Sequence, residues 1–111
     1  MAFAFLGFGD RVITSGEDHF RIWSLTGSST IPFSRANQAS LLVGSPAGTH
    51  LAFFVGERFY VLDMGGNVVW SRRINTDKAI PLDIVFSPTG DAVAGLSEYD
   101  GARRLHFHSL Q

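Results

Sequence analysis

The chain has 111 residues, of which 45% are hydrophobic and 13% aromatic, so it can fold as one domain around a core. Nine Lys and Arg residues against ten Asp and Glu residues give a formal net charge of −1, which excludes a general attraction to nucleic acid or anionic membranes. Cysteine is absent, which excludes disulfides and thiolate sites, and no apolar run is long enough to cross a bilayer. We therefore expect a soluble, cytoplasmic protein.

A turn recurs three times at near-constant spacing. Its copies are Gly7-Phe8-Gly9-Asp10, Ser45-Pro46-Ala47-Gly48 and Ser87-Pro88-Thr89-Gly90, so glycines 9, 48 and 90 lie 39 and 42 residues apart. Proline pre-sets the first position of such a turn and glycine accepts the left-handed conformation, so the pattern predicts tight hairpins. A period of about 40 residues with several strands per unit is typical of propeller blades.

In the first unit, about residues 1–33, an apolar strand around Phe3 precedes the turn and a second strand begins at Val12. A third strand follows from Phe20 to Leu25, and the segment from Ser28 to Phe33 supplies a fourth. Alternation of polar and apolar side chains with a period of two predicts strands throughout. The short segment 35–39 is too short for an independent helix and predicts a connecting loop.

The second and third units, about residues 39–73 and 80–111, repeat this order. Strands from Phe59 to Met64 and from Asn67 to Arg73 complete the second unit, whereas the third ends with the strand from Leu105 to Leu110. We therefore predict an all-β domain of three antiparallel propeller blades, with eleven strands in the order four, four and three. The first strand of each blade is expected to be the most buried.

The aligned units also predict which side chains lie between blades. On the third strands, Phe20, Phe59 and Leu105 share a face with Ile22, Val61 and Phe107, and we expect this face to form core between blades. The residues predicted to form inter-blade or self-assembly contacts are Phe3, Phe5, Phe20, Ile22, Leu105 and Phe107.

The segment from Phe86 to Ser97, followed by Asp100-Gly101 and a strand through Leu105-His106-Phe107, resembles the WD-repeat family of β-propellers. The segment from Ile13 to Trp23 is similar, the middle unit also resembles TolB-type repeats, and residues 65–70 resemble a quinoprotein hairpin. These resemblances cover nearly the whole chain and imply a propeller-like binding scaffold. The Gly-His pair of WD repeats is missing before the first strands, so the resemblance transfers no buried His-Asp network and no catalytic residue.

Three blades do not close a ring, because propellers usually contain about four to eight. The open ends would expose apolar sheet faces, which soluble monomers rarely tolerate. A homodimer of two half-rings would give six blades, with the Phe3 and Phe5 end of one subunit against the third blade of the other. Alternatively, the chain is a natural fragment or an engineered piece, and the remaining blades belong to a larger propeller.

Few residues indicate a catalytic or metal-binding site. His106 and His108 project to one face of a strand and form a weak metal candidate, but no third ligand is near in sequence, so we expect a solvated strand surface and no metal or cofactor. The acidic loops Glu17-Asp18-His19 and Glu98-Tyr99-Asp100 fit turn formation better than catalysis. Aromatic residues on opposite faces or outer strands are candidates for binding a protein partner: Trp23, Tyr60 and Trp70.

These observations favour a non-catalytic interaction scaffold that forms a closed ring or completes a larger propeller and binds a protein. A second hypothesis is a module that binds a small ligand or a glycan in a channel or between blades. A third is a propeller fragment, engineered or evolutionary, without a selected ligand.

Overall fold

The computed structural model describes residues 2–7, 9–74 and 78–110, which form three antiparallel sheets. The first sheet contains β1 (Phe3–Leu6), β2 (Arg11–Ser15), β3 (His19–Ser24) and β4 (Gly27–Pro32). The second contains β5 (Ser40–Gly44), β6 (His50–Val55), β7 (Arg58–Asp63) and β8 (Val68–Arg73). The third contains β9 (Ile80–Phe86), β10 (Ala92–Tyr99) and β11 (Ala102–Ser109). The predicted connecting loop between the first two sheets contains one 3-10 turn, Ala36–Gln38.

The strands of each sheet pair in chain order, so every sheet is an antiparallel meander. The first strand of the middle sheet, β5, contacts both β1 and β9, so the three first strands lie side by side and the sheets fan out from them. This is a blade-like arrangement, and we refer to the sheets as blades 1, 2 and 3. The prediction of an all-β fold with four, four and three strands is confirmed for the described residues.

The recurring turn has the geometry that its residues predict. The Gly48 amide donates to the Ser45 carbonyl oxygen at 3.0 Å, and the Gly90 amide donates to the Ser87 carbonyl oxygen at 2.8 Å. Both glycines have positive φ, +75° and +77°, which a side chain would strain. Gly9 has φ +88°, although its turn includes residue 8, which lies outside the described residues. The repeat in the sequence is therefore a repeat of hairpins in space.

Blade 2 is covered on both faces. Strand β6 alternates between two cores: Leu51, Phe53 and Val55 pack toward blade 1, whereas Ala52 and Phe54 pack toward blade 3. All five side chains are buried. A strand that is buried on both sides loses the polar alternation of a half-exposed strand, and this explains the continuous apolar run in β6.

The prediction that the first strand of each blade is the most buried is wrong. In blade 2 the second strand, β6, has five buried residues whereas β5 has one, and the first strand of blade 1 is largely exposed. Phe3 is 73% exposed and Phe5 is 68% exposed, whereas Leu42 and Ile84, which align with Phe3, are buried. Leu42 packs toward blade 1, and Ile84 packs toward blade 2. The described residues place no preceding blade against Phe3, so its side chain remains in solvent.

Candidate functional site

The exposed face of blade 1 carries a row of large side chains. Phe5 is opposite Val12, and Val12 is opposite Trp23, so all three project from the same face. The Trp23 indole donates from Nε1 to Thr14 Oγ1 at 3.0 Å, and the Arg21 guanidinium carbon lies 5.4 Å from the Trp23 ring centroid. These contacts hold an aromatic and cationic edge in place. We call this face, with Phe3, Phe5, Val12, Arg21 and Trp23, the first flank.

The exposed face of blade 3 also carries apolar side chains. Val85, Ala94 and Phe107 lie opposite one another on adjacent strands and line a depression of about 170 Å³. Leu105, on the next row, lies opposite Leu96. The exposed fractions of Leu105 and Phe107 are 61% and 62%. We call this face, with Val85, Ala94, Leu96, Leu105 and Phe107, the second flank.

The two flanks present positions that are buried elsewhere in the repeat. Phe107 is opposite Ala94 just as Val61 is opposite Ala52 and Ile22 is opposite Ile13. The four residues of the earlier blades are buried between blades, whereas Phe107 is exposed. The prediction that Phe107 belongs to the core between blades is therefore wrong within this chain. Its exposure follows from its place on the last blade that the structure describes.

The six predicted contact residues divide into two groups. Phe20 and Ile22 are buried in the core between blades 1 and 2. The other four are exposed on the flanks: Phe3, Phe5, Leu105 and Phe107. Val85 and Ala94 were not among the predicted contact residues, although both lie on the strands that flank the third turn. The available signal is the repeat itself, because Ala94 occupies the position of the buried Ile13 and Ala52.

The three aromatic candidates for partner binding occupy different environments. Trp23 is exposed on the first flank. Tyr60 is half-buried and contacts Phe33 and Phe53, with ring centroids 5.2 and 5.6 Å apart. Trp70 is half-buried between blades 2 and 3. Of the three, Trp23 offers the largest accessible surface to an external partner.

His106 and His108 project to the same face of β11, as their spacing predicts. This face is directed toward blade 2 and is not a solvated surface. His106 is fully buried, with Nε2 3.0 Å from Ser97 Oγ. The His108 ring stacks on Trp70 with centroids 4.5 Å apart and an interplanar angle of 7°. Among residues 2–7, 9–74 and 78–110, no group of three His, Cys, Asp or Glu side chains is arranged to hold a metal. The expectation of a solvated strand is thus wrong for His106.

The buried Ser97–His106 pair combines a hydroxyl with an imidazole, as nucleophilic catalysis would require. Nδ1 of His106 is buried and has no hydrogen-bond partner among the described residues. A catalytic imidazole is normally oriented by a partner on that nitrogen. Ser97 and His106 are also nearly inaccessible to solvent, which prevents a substrate from reaching them in this conformation. We interpret the pair as a contact between strands β10 and β11.

Burial, and next the positive charges of Arg72 and Arg104, lower the pKa of His106 from 6.5. The unfolded chain therefore binds this proton more readily, and we expect stability to fall as the pH decreases below 6.5 toward the folded-state pKa. The slope is at most about 1.4 kcal/mol per pH unit. Urea unfolding between pH 8 and 5 measures it. His106→Gln should reduce the slope of the unfolding free energy against pH in this range, whereas His108→Gln should retain it. An unchanged slope in His106→Gln would contradict the prediction.

The acidic loops behave as turns. Asp18 Oδ1 lies 3.0 Å from His19 Nδ1, and this hydrogen bond is the main cause of the lowered pKa of Asp18. Glu98 and Tyr99 end β10, and Asp100 follows with φ +53° in the turn to β11. The Glu98 carboxylate lies 3.6 Å from the Arg103 guanidinium. The two loops are on different blades and do not bring their carboxylates together as a described cluster.

No protein-family model and no curated protein matches this chain. The resemblance of residues 86–97 to WD repeats, and of the middle unit to TolB-type repeats, therefore remains a prediction. In the part of the chain that the structure describes, no helix has the length and apolar character needed to span a membrane.

Proposed function

We propose that this chain is a non-catalytic β-propeller scaffold that completes a ring through its two flanks. One observation carries the proposal: the flanks expose large apolar side chains at positions that are buried between the internal blades. Phe3 aligns with the buried Leu42, and Phe107 aligns with the buried Val61. Fully burying a side chain of this size contributes about 1.5–3 kcal/mol, so covering both flanks would provide a strong driving force.

The partner that we propose is a second copy of the chain. A bulky first flank, with Phe5 and Trp23, would face a second flank whose centre is the small side chain of Ala94. Arg21 on the first flank and the exposed Asp83 beside the second also carry opposite charges. Two copies related by a two-fold axis would satisfy both flanks of each subunit at once and give six blades.

The same scaffold could instead complete a larger propeller that supplies the remaining blades, and in either arrangement the exposed loops would bind a protein partner. The net charge of −1 and the lack of cysteine support a cytoplasmic role that involves neither nucleic acid nor a membrane surface. Self-association distinguishes the two arrangements, because only the homodimer forms from this chain alone.

Light scattering of the purified chain over a wide concentration range tests the proposal. We expect a species with twice the mass of the chain that dissociates only on strong dilution. A folded monomer at every concentration would contradict self-assembly. A continuous increase in mass with concentration would also contradict it, because an open chain of subunits does not close at two copies.

A further inference from the structure

Blade 2 carries a feature that is separate from the two flanks. It lies at the end of the blade that contains the turn between β6 and β7. A cleft of about 480 Å³ opens there, lined by Arg35, Glu57, Arg58, Tyr60 and Arg73. In the described part of the chain, three guanidinium groups thus share a concave surface with a single carboxylate. We call it the arginine cleft.

The placement of Arg58 and Arg73 is electrostatically unfavourable without a counter-ion. They are directly opposite each other on β7 and β8, where like charges repel. Arg73 Nη2 pairs with Glu57 Oε2 at 3.0 Å, which compensates one positive charge. Arg58 Nη1 donates to the neutral Ser71 hydroxyl at 3.3 Å, so this contact brings no negative charge. The cleft therefore has an excess of positive charge.

Arg35 is held in place before any ligand binds. Its Nε and Nη2 donate to Gln38 Oε1 at 3.2 and 3.0 Å. Its guanidinium also lies against the turn at Gly56, which has no side chain; an added Cβ there would lie 2.9 Å from Nη2. Gly56 has φ +56°, so the turn and the close approach both favour glycine there. A guanidinium that is positioned beforehand loses less entropy when it binds an oxyanion.

Glu17 and Asp18, whose backbone contacts the segment that carries Arg35, do not fill the cleft. The carbonyl groups of Glu17 and Asp18 accept from the Asn37 and Phe33 amides, so their turn packs against the segment that carries Arg35. Both side chains are exposed and neither lines the cleft. Asp18 is also hydrogen-bonded to His19. Among the residues that the structure describes, Glu57 is the one carboxylate that lines the cleft.

We infer that the arginine cleft binds a phosphate group. Guanidinium groups match phosphate oxygens through paired N–H donors, and Arg35 and Arg58 are the two cations of the cleft that the Glu57 pair leaves for such a ligand. Tyr60 forms part of the wall of the cleft. This assignment is independent of the flanks, because no lining residue belongs to either flank.

Calorimetric titration at constant ionic strength tests the assignment with two probes, inorganic phosphate and a short phosphoserine peptide. We expect saturable binding of at least one probe, and the tighter probe identifies whether free phosphate or a phosphorylated chain is the natural source. The unphosphorylated peptide should not bind. No saturation with either probe at millimolar concentration would overturn the inference.

Variants distinguish specific phosphate binding in the cleft from nonspecific electrostatic attraction. Arg58→Gln and Arg35→Gln should each weaken binding about tenfold or more, because each removes a charge-assisted hydrogen bond to the phosphate. Arg35→Lys keeps the charge but loses the planar fork, so we expect an intermediate loss. Arg104→Gln removes one exposed charge from blade 3 and is the matched control. An equal loss of affinity in the control would show that the effect comes from net charge alone and would overturn the inference. Circular dichroism verifies that each variant is folded.

Discussion

Phe107→Asp is expected to convert the proposed dimer into a folded monomer. The substitution removes a large apolar side chain from the second flank and introduces a carboxylate, which would be buried without a partner if the ring closed. A two-fold dimer contains the change twice, so we expect self-association to weaken by roughly 100-fold or more. Sedimentation or light scattering over a dilution series measures this effect. Phe5→Asp, on the opposite flank, should give the same result.

The matched control is Leu25→Asp. Leu25 is a fully exposed apolar residue in the turn between β3 and β4, and it belongs to neither flank. It should therefore leave the mass in solution unchanged. Because Phe107 is exposed within the single chain, its replacement should preserve the far-ultraviolet circular dichroism. A Phe107→Asp chain that remains dimeric would show that the second flank is not the interface.

Phe59→Ala is expected to destabilise the fold by about 3–5 kcal/mol, the usual cost of removing a buried phenylalanine. Phe59 is fully buried, and its ring centroid lies 4.9 Å from that of Phe54 and 5.5 Å from that of Trp70. Gly95 belongs to the same contact, since an added Cβ there would lie 2.8 Å from the Phe59 ring. The neighbouring blades cannot fully close the resulting cavity. Urea unfolding monitored by fluorescence measures the loss.

Phe107→Ala provides the comparison, because it makes the same change on the third strand of the next blade. At a dilution where the chain is monomeric, we expect a cost within about 0.5 kcal/mol, as for other surface substitutions. At high concentration the cost should rise, because the interface that the dimer buries is then lost. Equal destabilisation by Phe59→Ala and Phe107→Ala in dilute solution would contradict the difference in burial between these two residues.

Local signals in the sequence predicted much of the fold. The glycines at positions 48 and 90 identified hairpins whose hydrogen bonds and positive φ angles are present in the structure. The period-two pattern predicted the third strands of all three blades, including the register of Phe20 and Phe59 on a buried face. These features depend on residues that are close together in the chain, and the repeat provides three copies of the same local pattern.

The contacts between blades were less accessible to sequence reasoning. The spacing of His106 and His108 predicted that they share a face, but it did not predict that Trp70 would stack on His108. Likewise, Arg35 lies in a connecting segment, and its approach to Arg58 and Arg73 in one cleft depends on how blades 1 and 2 meet. These groups are distant in sequence, and no local pattern specifies their distance in space.

The repeat, the strand order within each blade and the face on which each side chain lies can be predicted from the amino-acid sequence, because hairpin turns and strand alternation are local properties of the backbone. Which of those faces are buried depends instead on how the blades pack against each other. Phe59 and Phe107 illustrate the difference, since both are apolar residues on a third strand. Blade 3 covers Phe59, whereas the described residues place no blade over Phe107. Whether an apolar side chain on a third strand is buried depends on a neighbouring blade that covers it, and the packing of the blades determines where such a neighbour lies.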